Sequence, residues 1–154
     1  MQSTIQDLAT VVSEFTTRIS QLPESDFTAK PQLHKWSKKE VLGHLIDSAE
    51  NNLRRFICGQ YEVPAPNIKY TQDFWVKANQ YQNTPSNEVI ENWQLINRKI
   101  CRVLQQMPRE NYGKVCDFGD GHFLTLEWLA ADYVKHLKHH LNQIIPQSFD
   151  IVYP

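Results

Sequence analysis

Glycine is scarce in this chain, 5 of 154 residues, against a usual share of ~7% in globular proteins. That weighs against an architecture of many tight β-turns. It also weighs against the glycine-dependent phosphate cradles of dinucleotide and P-loop folds, and no GxGxxG, GxxxxGKS or GxxxxGKT string occurs. Cysteine is sparse too. Cys58, Cys101 and Cys116 are far apart, odd in number and form no CxxC pair, which excludes a disulfide framework and leads to the expectation of a reduced, cytoplasmic setting. Neither charge dominates: 16 Lys+Arg stand against 17 Asp+Glu, a net charge of −1. Without a long basic run the chain lacks the cationic footprint of nucleic-acid binding, and no nucleic-acid partner is expected. No apolar run approaches the ~20 residues of a membrane span. The opening MQSTIQDLATVVSEF lacks the apolar stretch of a secretory signal.

What is present is an ordinary globular composition, 41% hydrophobic and 21% charged, in a length that suits one domain over residues 1–154. Six histidines stand out, three of them between 136 and 140.

Four segments carry helical periodicity. The first spans about 3–22, with Ile5, Leu8, Val12, Phe15, Ile19 and Leu22 at three- and four-residue steps before Pro23. The second spans about 38–60. Ser37 and Glu40 make a capping box, Trp36 and Val41 occupy the positions of a hydrophobic staple, and Gly59 and Pro64 end the segment. The third, about 86–107, carries Val89, Trp93, Ile96, Ile100, Val103 and Met107 and stops at Pro108. The fourth, about 126–145, has Thr125 as N-cap, an apolar side of Leu126, Leu129, Tyr133, Leu137, Leu141 and Ile144, and Pro146 beyond it. Four such helices predict an all-α four-helix bundle. The connection 61–85 is long and polar, with room for a short helix at 72–79. The stretch 112–124, with Asp120-Gly121 between β-prone pieces, predicts a small β-hairpin before the last helix.

His136 and His140 are four apart on the fourth helix, so their imidazoles share a face and can reach one metal ion. The same spacing also suits an ordinary surface pair. On a helical wheel both fall at the margin of the apolar stripe, while His139 lies further out and reads as solvated or, at most, as support for a ligand. His44, on the polar side of the second helix near Asp47, Ser48, Asn51 and Arg55, is either exposed or faces a polar pocket. His34 and His122 read as loop residues. Cys58 and Cys101 read as small core residues and Cys116 as exposed. Asp47 and Glu50 read as a solvated face. Trp36, Trp93 and Trp128 read as packing anchors, and Trp75 as an aromatic at a pocket mouth.

Two strings carry a resemblance. W-S-x-x-E-V-L-G-H-L-x-D-S-x-x-N-N, here Trp36 to Asn52, and Y-x-x-H-x-x-H-H-x-x-Q-I, here Tyr133 to Ile144, resemble the DinB/YfiT-like superfamily over nearly the whole chain. The resemblance implies one DinB-like domain, an up-down-down-up four-helix bundle with a divalent metal, zinc or nickel foremost, at one end. By position, the implied metal ligands are His44, His136 and His140. It further implies a metal-dependent enzyme acting on a small-molecule substrate: a transferase using a low-molecular-weight bacterial thiol, or a hydrolase. A homodimer is common in the superfamily. The alternative is a non-catalytic, stress-associated metal-binding protein.

Three imidazoles leave a coordination position for water or substrate, the pattern of catalytic zinc. A metal there acidifies water or a thiol. Each imidazole needs an acceptor for its second N–H. Helix geometry nominates Asp132, four residues before His136, and Asp47, three after His44, as such partners. It nominates Gln143, beside His140, as a substrate-binding group.

Overall fold

The computed structural model describes residues 1–62, 64–66, 69–118 and 121–153. Four long helices form the bundle: α1 (Gln2–Ser20), α3 (Lys38–Cys58), α5 (Ser86–Gln106) and α6 (Leu126–Ile144), with the short α2 (Glu24–Phe27) and α4 (Gln72–Ala78) in the connections. α3 packs on α5 and α6, and α1 packs on the same two. The ring order is therefore α1–α5–α3–α6, with α1 diagonal to α3. Apolar stripes from all four close one core, in which Leu8, Phe15, Leu42, Leu45, Trp93, Ile100, Leu137 and Leu141 are completely buried. Each large side chain so buried contributes about 1.5–3 kcal/mol of transfer free energy.

The helix ends follow their local chemistry. At α3, Ser37 Oγ accepts from the Glu40 backbone N–H at 3.1 Å, and Glu40 accepts from the Ser37 N–H at 2.9 Å. At α6, Thr125 Oγ1 accepts from the Trp128 N–H at 3.1 Å. α1 ends at Ser20, before the expected Leu22, because Pro23 is the N-cap of α2, a turn too short to show periodicity in the sequence.

The hairpin is present as β2 (Val115–Asp117) antiparallel to β3 (Phe123–Thr125). Its Asp120 lies outside the described residues, while Gly121 takes the left-handed φ of +77° that glycine favours. A third strand, β1 (Ala65–Pro66), adds in parallel to β2, pairing Ala65 with Cys116. This pairing corrects the expectation for Cys116: on the middle strand of three, it is fully buried. Trp128 is the opposite correction. It stands in the first turn of α6, off the core stripe, and is 49% exposed. Cys58, at the end of α3, is only half-buried.

The main departure concerns the polar side of α3. His44, Asp47, Ser48, Asn51 and Asn52 are all buried. Residues 69–82, including α4, cover that face: Tyr81 and Asn79 donate to Asp47 Oδ1 at 2.6 and 2.8 Å. Asp47 is therefore not part of a solvated face, although Glu50, one turn away, is exposed. No helix among the described residues is long and apolar enough to cross a membrane.

Candidate metal centre

The α3–α6 contact brings the three nominated histidines together, although His44 is 92 residues from His136 in the chain. His44 Nε2 lies 3.4 Å from His136 Nε2. The His140 ring centroid is 4.7 Å from that of His44 and 4.5 Å from that of His136. One nitrogen from each of the three falls within 4.8 Å of the others. Two nitrogens each about 2.0–2.1 Å from a tetrahedral zinc stand about 3.3 Å apart. The His44–His136 separation has that value before any adjustment, so the residues fit a divalent ion. Among the described residues no fourth His, Cys, Asp or Glu joins the group.

Electrostatics agree with the geometry. Burial, then the neighbouring His140, pulls His44 down from 6.5 to about 4. Burial, then His140, His44 and His139, pulls His136 down to about 3. Burial also lowers His140, against an opposing hydrogen bond from Gln143. All three imidazoles are neutral at pH 7, so each has a lone pair free for a metal.

The outer contacts differ from those nominated by helix geometry. Gln143 Oε1 is 3.2 Å from His140 Nδ1, and its amide nitrogen is 3.2 Å from His139 Nε2. Gln143 thus steadies the histidine beside it. His139 is half-buried by this contact and by Tyr153, 5.6 Å away between ring centroids; of the two expectations for it, solvated or supporting a ligand, its contacts match the second. Asp132 accepts from the Tyr153 hydroxyl at 3.2 Å, and the Tyr153 ring packs on His136 at 5.6 Å. Asp132 meets His136 through Tyr153. Asp47 accepts from Tyr81 and Asn79 and makes no hydrogen bond with His44, and burial pushes its carboxyl up to about 6. His44 Nδ1 has no partner among the described residues. The Trp36 ring lies over His44 at 5.1 Å.

Ser48 escaped the sequence reading. Its Oγ is 3.4 Å from His136 Nδ1. The signal was available, since Ser48 is one helical turn after His44 on the same face. Tyr153 gave none, because it lies in a tail without periodicity.

A cavity of about 880 Å³ opens beside His140, walled by Trp36, Val41, His34, Gln143 and Asp73. His34, read as a loop residue without a partner at metal spacing, is an exposed loop residue outside the histidine group, and it lines the same cavity as His140. Trp75 is half-buried, and its ring is tilted 60° against that of Tyr70, at 5.3 Å between ring centroids.

Comparison with known proteins agrees with this architecture. No curated protein gives a significant sequence match. Among solved structures, YfiT from Bacillus subtilis superposes with a TM-score of 0.83 at 20% identity, over 93% of this chain and 82% of that one. YfiT is described as a probable metal-dependent hydrolase with an unusual four-helix bundle topology. The DinB superfamily profile matches residues 7–144, and the chain belongs to that superfamily.

Proposed function

We propose that this protein is a metal-dependent hydrolase of small molecules, with His44, His136 and His140 as the metal ligands. The observation that carries the reading is the convergence of three neutral imidazoles beside a cavity, with no fourth protein ligand among the described residues. A structural site closes its coordination with four protein ligands, and a catalytic one keeps a position open. A divalent ion in such a site polarises a substrate carbonyl or phosphoryl oxygen and acidifies water or a thiol.

The chain's own residues supply the rest. Depressed basicity keeps the three imidazoles unprotonated, so binding a cation at pH 7 displaces no proton from the ring nitrogens that hold it. Trp36 and Val41 give the cavity an apolar wall, where part of a substrate leaves water. His34 and Gln143 supply polar groups along the same wall. Gln143 also fixes the ring of His140, which keeps that ligand oriented when substrate enters.

The test uses untagged protein stripped with a chelator and reloaded with zinc or nickel. It is assayed on a panel of activated esters, amides and phosphoesters, and in parallel with low-molecular-weight thiols and a generic electrophile. The proposal expects metal-restored hydrolysis that His140→Ala abolishes. Turnover only in the thiol arm assigns a thiol transferase instead. A tightly bound metal with no turnover in either arm assigns a non-catalytic metal-binding protein. The metal that restores the higher rate identifies the working ion.

A further inference from the structure

The inner face of α3 continues past His44 as a line of buried polar groups that the three-histidine site does not itself require. Ser48, Asn51 and Asn52 are buried on it, and Arg55 follows one turn later. Polar groups are placed inside a bundle at a cost unless they are paired, and these are paired in a definite order. Asn52 Nδ2 donates to the Ser48 carbonyl at 2.9 Å and to Ser48 Oγ at 3.4 Å, while Asn52 Oδ1 accepts from Arg55 Nη1 at 3.1 Å. Ser48 Oγ in turn meets His136 Nδ1 at 3.4 Å. His136 is thereby bracketed by two successive turns of α3: His44 faces its Nε2 and Ser48 faces its Nδ1.

We infer that Ser48 is a positioning residue that fixes the tautomer and ring orientation of His136, with Asn52 and Arg55 holding Ser48 in place. A neutral imidazole carries its proton on one nitrogen and a lone pair on the other. The nitrogen facing His44 must keep the lone pair if it is to bind a cation, so the proton belongs on Nδ1. A serine hydroxyl has two acceptor lone pairs and one donor. One lone pair takes the Asn52 amide and the second takes His136 Nδ1–H. The hydroxyl proton then goes to the Tyr70 oxygen, which hydrogen-bonds Ser48. This arrangement satisfies every member and turns the His136 Nε2 lone pair toward His44 and His140; the reverse one, with Ser48 donating to Nδ1 and Tyr70 donating to Ser48, would put the proton on Nε2 and turn it against the cation. This inference rests on the metal-site reading above, but its first test does not.

Long-range proton–nitrogen NMR of the metal-free protein, with selectively labelled histidine, reads the tautomer directly. The expected spectrum shows His136 protonated at Nδ1, and Ser48→Ala moves the population toward protonation at Nε2. Competition of the protein with a zinc-binding chromophore is the second readout. Ser48→Ala is expected to weaken zinc binding ~10–100-fold, and His136→Ala to remove it. A wild-type His136 protonated at Nε2 overturns the inference, and that spectrum decides the matter even where the alanine variant does not fold. Zinc affinity unchanged in Ser48→Ala but lost in His136→Ala overturns it as well. A wild-type protein that takes up no zinc but keeps the Nδ1 proton overturns the metal reading and supports the role of Ser48.

Discussion

The ring of Tyr81 occupies the space in which a β-carbon on Gly43 would stand: such an atom would lie 2.1 Å from Tyr81 Cδ2. Gly43 directly precedes His44, so the absence of a side chain there lets the covering segment lie flat on α3. From that place Tyr81 donates to Asp47 at 2.6 Å. Gly43→Ala would ordinarily stabilise a helix interior by about 1 kcal/mol. Here the alanine is expected to push the ring out, break the Asp47 contact and destabilise by about 1–3 kcal/mol net. Urea unfolding of the two proteins measures the difference. A more stable variant would mean that Tyr81 is not seated on α3.

Acid stability carries a second prediction. His44 and His136 are held at about 4 and about 3, against 6.5 in the unfolded chain, and His140 is lowered too. Below about pH 6.5 the unfolded chain therefore binds more protons than the folded one. The stability contributed by these groups is whole above pH 6.5 and is lost as the pH falls toward their folded values. Asp47 acts in the opposite sense. Its carboxyl is raised from 3.8 to about 6, so between those values the folded state holds the extra proton and acid favours it. Burial also raises the Glu50 and Asp132 carboxyls, in the same sense as Asp47, but the depressions of His44 and His136 are the larger effects. The metal-free protein is expected to lose stability between pH 7 and pH 5, and His136→Ala is expected to lessen that loss. Urea midpoints at the two pH values check both statements, and a rising midpoint on acidification would contradict them.

A third prediction concerns the bundle core away from the site. The Tyr133 hydroxyl donates to Asn97 Oδ1 at 2.5 Å, and Asn97 Nδ2 donates to the Trp93 carbonyl at 2.8 Å, all fully buried. Removing one partner leaves the other without a hydrogen bond, at a cost of about 1–3 kcal/mol. Tyr133→Phe and Asn97→Leu are each expected to show that loss. The double variant is expected to cost clearly less than the sum of the two. A double-mutant cycle by urea unfolding supplies the coupling, and strict additivity would refute the pairing.

Much of this fold was readable in advance, and the reasons are local. Ser37 and Glu40 cap α3 because both groups lie within one turn, and the apolar stripes of α1, α3, α5 and α6 needed no distant information. His136 and His140 were readable as a pair for the same reason. From the helix pattern alone His44 was readable only as a residue on a polar face, and it was the family resemblance that nominated it as a ligand. Its partners come from α6, and periodicity does not tell which polar face a bundle will bury. The same limit hid the covering segment: Tyr81 reaches Asp47 across 34 residues. Cys116 was misplaced because its burial depends on β1, a two-residue strand that pairs across the chain. Asp132 and Gln143 were nominated as partners of the histidines from helix geometry. Their actual partners, Tyr153 for the first and both His139 and His140 for the second, depend on side-chain reach that a helical wheel does not represent.

The account depends on three histidines from two helices acting as one ligand set. The direct measurement is metal content per chain of untagged protein after zinc or nickel loading and gel filtration, for the wild type and for His44→Ala, His136→Ala and His140→Ala. The account predicts close to one tightly held ion per wild-type chain and a large loss in each variant. A wild-type protein that retains no ion after loading, or one that keeps it undiminished in His44→Ala, would contradict it.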